Sequence, residues 1–321
     1  MNNAHKHLAS ILLFSFLAFA ISSPTLNVVA ADGVWSVNAS GNWSDTNNWA
    51  GGIVADGATN IANFATVNIT ASQTITLDSS RTIGALMFAD TTSSHDWTLT
   101  ASGGSILSLS SNGMASIYVS NRTTTISLEL AGIDGFTKSG GGTLTLSATN
   151  SYTGSTIVNG ANSVLLLKNN LALNGSAGIT VTNSGMLRLD NGITVTGKTA
   201  TVFGKGNNNG TIQPASGTAT WAGPIILGED QTRLGTAQNT ATLVIDGPIG
   251  DGGNGFGPAI RCTDSSGTNF GTVLLNSQST YSGTTTVVVG VLKLGGDNRL
   301  PPQSVLTIGN TPNVNNAHVE L

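Results

Sequence analysis

Charge is scarce in this sequence. Asp, Glu, Lys and Arg together make up 9% of its 321 residues, where a soluble chain carries about a quarter. Twelve basic and 16 acidic residues leave a formal net charge of −4. That balance excludes a basic footprint for nucleic acid and a polybasic membrane patch. Cysteine is scarcer still. Cys262 stands alone, so neither an intrachain disulfide nor a cysteine zinc cage can form. Only Arg261 beside it offers an activating cation, so a small buried residue is the simpler reading. Aromatic residues are 5%, too few for the bulky cores of antiparallel sandwiches and barrels. Outside the N-terminal apolar segment no window sustains a 3.6-residue apolar period, which argues against helices.

Chemical motifs are equally thin. The histidines are His5, His7, His95 and His318. The first two lie in the N-terminal segment, the other two are far apart, and no HExxH pattern occurs, so zinc is not expected. No G-x-S-x-G elbow is present. Residues 204–210, GKGNNNG, lack the Walker spacing and read as a corner loop. Residues 252–257, GGNGFG, partly match a calcium-binding nonapeptide, but Gly257 stands where the ligand Asp belongs and Asp251 is out of register. Hard cations need six or more oxygens, so neither calcium nor any cofactor is expected.

What the sequence has in quantity is Gly (41 residues), with Ser, Thr and Asn at most polar positions. Hydrophobic residues are 39%, enough for a core. Thr favours strands, and Ser and Asn compete with a helical backbone for hydrogen bonds. The chain opens with a mildly basic start at Lys6, an apolar run over residues 8–21, and small residues Val29, Ala30 and Ala31. This reads as a secretory signal over residues 1–31. The run is short for a membrane span, which needs about 20 residues, and no later stretch qualifies.

Residues 32–66 differ from the rest of the chain. They hold Trp35, Trp43 and Trp49 among crowded Asn and Asp. Bulky aromatics suit a cap over the open first coil of a solenoid. The same rings suit stacking on sugars, so the three are also candidate carbohydrate-binding residues. From residue 67 onward, segments such as 74–77, 98–100, 106–109 and 125–128 alternate apolar and small polar residues. That is the period-2 signature of strands with one buried face. Strand spacing of about 8 to 14 residues, with Gly and Asn turns between, fits an all-β fold. Small β-branched side chains stack well in a parallel β-solenoid. A solenoid over residues 67–321 is expected, and coils of roughly 20 to 25 residues give about 12 coils over the chain that follows the signal segment.

One internal repeat stands out. Residues 135–167 find a shorter echo at 271–294, with Leu146, Tyr152, Gly154, Thr156 and Val158 set against Leu275, Tyr281, Gly283, Thr285 and Val287. In the first copy, Phe136, Thr137, Lys138, Gly140, Gly142, Leu144 and Leu146 are followed by Asn150, Tyr152, Gly154 and Thr156. This resembles the autotransporter-associated β-strand repeat, or passenger-associated transport repeat. The second copy keeps Tyr281, Gly283 and Thr285, has Ser279 where Asn is usual, and lacks the Lys-x-Gly-x-Gly part. The resemblance implies a right-handed parallel β-helix of a large secreted bacterial protein.

Three functions stand as expectations. The first is a non-enzymatic, adhesin-like stalk or passenger segment on the exterior of a Gram-negative-type bacterium, with glycans or other surface and matrix components as partners. The second is a polysaccharide lyase or glycoside hydrolase, drawing on Glu229, Asp230, Asp246, Asp251 and Asp264 with Arg233 and Arg261 nearby. The third is a carbohydrate-binding module using Trp35, Trp43 and Trp49.

Overall fold

The computed structural model describes residues 30–238, 240–263, 270–309 and 316–321. The expected signal segment therefore lies almost wholly outside the described residues. The remainder winds as a parallel β-solenoid of about 10 turns. Every ladder between named strands is parallel, each strand pairing with its counterpart one coil away.

Each coil visits three faces in turn. The first face carries, among others, Gln73–Leu77, Thr143–Leu146, Val164–Leu167, Met186–Leu189, Ile212–Pro214, Thr232–Thr236 and Pro258–Cys262. Shorter strands make the second face, including Leu107–Leu109, Leu130–Ala131, Thr194–Val195, Thr242–Ile245 and Thr272–Leu275. The third face carries Arg81–Phe88, Met114–Val119, Gly135–Ser139, Thr156–Asn159, Ile179–Thr182 and Ile249–Gly250. Strand Thr285–Leu294 serves two faces, turning at Gly290 (φ 92°).

The alternation read in the sequence decides which side of each strand is buried. In Gln73–Leu77, residues 73, 75 and 77 are buried and those between are half-buried. Equivalent residues then stack. On the first face Leu144, Leu165, Leu187, Ile212, Leu234, Ile260 and Val287 form one inward ladder. All seven are fully buried, and each such side chain contributes about 1.5–3 kcal/mol relative to exposure. At about 4.8 Å per ladder step, 10 turns span roughly 50 Å. The expected 12 coils are too many because coil length varies. Phe136 stands beside Thr156, but Phe88 stands beside Val119.

The N-terminal end is closed by aromatics. Trp35, Trp43 and Trp49 are 0%, 0% and 2% exposed. Their rings meet edge-on or tilted, with Trp35–Trp49 and Trp43–Trp49 centroids both 5.3 Å apart. Each also contacts Phe64, which stacks on Phe88 at 4.9 Å and so joins the cap to the core. Every indole N–H has a backbone acceptor: Val37 O, Ala55 O and Trp43 O respectively.

Candidate functional site

The two repeat copies build the same local device. In the first, the Tyr152 hydroxyl, Thr156 Oγ1 and Ser176 Oγ form a buried relay with steps of 2.8 and 3.1 Å. Ser176 also donates to Gly154 O at 3.1 Å. In the second, Tyr281, Thr285 and Ser304 repeat it, and Ser304 donates to Gly283 O at 2.8 Å. The relay serines, Ser176 and Ser304, lie on the next coil. Neither is marked in sequence by anything except the stacking they complete.

Glycine is required where these coils touch. A Cβ on Gly154 would lie 1.9 Å from Gly135 N, and one on Gly283 would lie 2.4 Å from Gly257 N. Backbone passes against backbone there, and no side chain fits.

The copies nevertheless stand on different faces. The first runs from a first-face strand, Thr143–Leu146, to a third-face strand, Thr156–Asn159. The second runs from a second-face strand, Thr272–Leu275, to the first-face part of Thr285–Leu294. The unit is thus turned by one face of the coil.

Asn150 and Lys138 are specific to the first copy. The Asn150 side chain accepts from Leu130 N at 2.9 Å and donates to Ala172 O at 2.8 Å, so it bridges three coils at a point where its own coil has no second-face strand. Its counterpart Ser279 is too short, and its buried Oγ has no partner. Lys138 points inward, in ladder between Ile117 and Val158, and is fully buried. Its Nζ donates to Ser139 O, Gly140 O and Ser163 Oγ at 2.9, 2.8 and 3.1 Å. Burial without a carboxylate lowers its pKa to about 7.

These geometries accord with the comparisons with known proteins. The passenger-associated-transport-repeat family matches residues 136–161 and again 268–294. The two matches coincide with the two copies of the internal repeat. No curated protein and no solved structure matches the chain. The matched residues are the ones that close and stack coils, so each matched segment is a structural unit. Among the described residues no helix is long and apolar enough to cross a membrane, and no group of three or more His, Cys, Asp or Glu could hold a metal.

The remaining candidates read from the sequence fall as follows. Trp35, Trp43 and Trp49 are buried in the cap, so a sugar could stack on them only after the cap opened. Asp251 is nearly buried. Its carboxylate accepts from Gly253 N, Gly255 N, Phe256 N, Ser282 N and Ser282 Oγ. Burial alone would raise its pKa, but the hydrogen bonds from Ser282, Gly253 and Gly255 together bring it down to about 2. It therefore anchors the loop that resembles a calcium site in sequence, and a carboxylate held so low is no proton donor. Asp230 converges on the same loop, with Oδ1 accepting from Gly257 N at 2.9 Å. Asp246 accepts from Asn276, Glu229 is exposed, and Asp264 lies outside the described residues. Cys262 is fully buried, and burial pushes its thiol up to about 12. His95 Nδ1 lies 2.7 Å from Ser94 Oγ, and His318 sits on the strand Ala317–Glu320.

The arginines do come together. The 204–210 loop folds over the outer side of the first face. Arg233 and Arg261 both donate to its Asn208 carbonyl, at 2.8 and 3.3 Å. Arg188 shares this outer surface, in register with Gln213. Sequence reasoning did not single out Arg188, although the rarity of basic residues was a usable signal. Elsewhere, an open groove of about 700 Å³ is lined by Thr149, Lys168, Asn169, Leu171 and Asn191, where the second face lacks strands.

Proposed function

We propose that the chain is an exported, non-catalytic surface rod: a stalk or passenger segment that spaces or presents other parts at the cell exterior. One observation carries this reading. Six polar residues of the repeat match, Lys138, Asn150, Tyr152, Thr156, Tyr281 and Thr285, are buried and bonded within the coil stack. Residues so engaged hold a rod together and offer no reactive group to a substrate. The candidate catalytic acids support the same reading, since Asp230, Asp246 and Asp251 are engaged with neighbouring backbone or amides. Family membership of the repeats favours secretion or surface display, and a signal over residues 1–31 would supply the entry to export. Surface glycans or matrix components are the partners such a rod would meet.

The test is to express the full chain in a Gram-negative host, fractionate the cells and treat intact cells with protease. The expected result is chain outside the cytoplasm, cleavable from intact cells, and no new reducing ends when the purified chain is incubated with polysaccharides. Retention in the cytoplasm, or release of reducing ends, would overturn the proposal.

A further inference from the structure

We propose that the outer surface of the first face, around the 204–210 loop, binds an acidic polysaccharide through Arg188, Arg233 and Arg261, with Lys205 at the rim. Four of the chain's 12 basic residues gather here. Among the described residues, the ion pairs are Arg81–Asp56, His95–Asp90, Arg122–Asp96, Lys168–Asp190 and Lys293–Glu320. None involves these four, so none of them is ion-paired among the described residues.

The patch is built rather than scattered. Arg233 pairs in register with Ala259, and Arg261 with Gly235, which sets the two guanidinium groups on adjacent strands. Burial, and the charge of Arg261, lower the basicity of Arg233. The Asn208 carbonyl fixes both arginines without neutralising either. Arg233 Nε is buried and has no acceptor. Arg188 is half-buried, and no hydrogen bond or ion pair holds it among the described residues. Beside it, fully buried Gln213 donates through Nε2 to Asn207 Oδ1 and Gly210 O at 2.8 and 2.5 Å, while its Oε1 is left without a partner. The surface thus presents the unheld Arg188 guanidinium, while Arg233 Nε and Gln213 Oε1 are buried and unsatisfied.

Spacing selects the ligand. Arg188, Arg233 and Arg261 lie on successive first-face strands Met186–Leu189, Thr232–Thr236 and Pro258–Cys262, with Ile212–Pro214 between the first two. Arg188 and Arg261 share one ladder through Gln213 and Gly235, three steps of about 4.8 Å or roughly 14 Å apart, and Arg233 stands two residues off that ladder on the strand between them. A small anion would reach one or two of them. A linear polymer with one carboxylate per sugar, lying along the rod, reaches all three, and guanidinium forks match carboxylates in bidentate fashion. The side-chain oxygens of Asn208 and Asn209 accept from Arg233 and Arg261, and that of Asn207 from Gln213, which leaves the amide NH2 groups of the three to meet sugar hydroxyls. Nucleic acid is disfavoured because four cations on an acidic rod neutralise too few phosphates.

The test is calorimetric titration of the purified chain with polygalacturonate, with neutral dextran and inorganic polyphosphate as the other arms. Binding to polygalacturonate that weakens with added salt, and none to dextran, is expected. Arg188→Gln removes no bond of the fold and should weaken binding about tenfold. Lys205→Gln, on an exposed loop, should weaken it in the same direction. Arg122→Gln removes an equal charge elsewhere and should change nothing. No binding at low salt, an equal loss in Arg122→Gln, or tighter Arg188-dependent binding of polyphosphate would each overturn the proposal. None of these outcomes depends on where the cell places the chain.

Discussion

The Tyr152 hydroxyl lies 2.8 Å from Thr156 Oγ1, and both atoms are shut away from solvent. Thr156 is the middle member of the relay that ends at Ser176. Tyr152→Phe leaves Thr156 its bond to Ser176 and should cost about 1 kcal/mol. Thr156→Val strands the buried Tyr152 hydroxyl, while Ser176 keeps its bond to Gly154 O, and should cost about 2–3 kcal/mol. Urea unfolding midpoints measure both. Equal costs would mean that the three hydroxyls act independently.

Asn150 and its counterpart Ser279 should respond differently to the same change. Asn150→Ala removes partners from Leu130 N and Ala172 O, both inside the stack, and should cost about 2–4 kcal/mol. Ser279→Ala deletes a buried hydroxyl that has no partner and should be neutral or slightly stabilising. Thermal midpoints of the two variants, compared side by side, decide it.

Lys138 makes stability depend on pH in a specific direction. Its folded pKa is about 7, below the ordinary 10.5. Between those values the unfolded chain binds a proton that the folded chain does not, so stability rises with pH across that window. Below about pH 7 both states are protonated and the buried charge destabilises most. Lys138→Met should flatten the rise in melting temperature between about pH 7 and pH 10. An unchanged rise in the variant would assign the pH dependence to other groups.

Asp251 acts in the acid range, where hydrogen bonding rather than desolvation dominates. Its folded pKa is about 2, against 3.8 for a free side chain. Its contribution is complete above the free value and is lost as pH falls towards about 2. Asp251→Asn should lower stability at neutral pH by about 2–4 kcal/mol and soften the acid limb of the unfolding curve. Limited proteolysis should also find residues 252–257 more readily in the variant.

The fold was largely legible because alternation and turn residues are local signals. Thr74 to Leu77 or Leu107 to Leu109 announce a half-buried strand without reference to the rest of the chain. The number of coils was less legible, since nothing local reports that Phe88 must travel as far as Val119 to find its neighbour. Lys138 was recognised as part of a motif but not as a core residue, because lysine is ordinarily a surface side chain. The tryptophans were ambiguous for a physical reason. An aromatic ring serves a cap and a sugar platform equally well until its burial is known. Asp251 was hard to place because Gly, Asn and Asp crowd a carboxylate-anchored loop just as they crowd a calcium loop. The arginine cluster could not be assembled from spacing alone, since Arg188 and Arg261 meet only through three ladder steps.

The one-face turn between the two repeat copies has a consequence for how such a rod changes length. A unit whose hydroxyl relay closes at either corner imposes no fixed phase on the coils beyond it. Segments can be gained or lost in fractions of a turn, each joint sealed by its own hydroxyl relay and glycine contact. Surface features carried by neighbouring strands then migrate around the axis with each such event, so the rod's length and the direction in which it displays a patch vary independently.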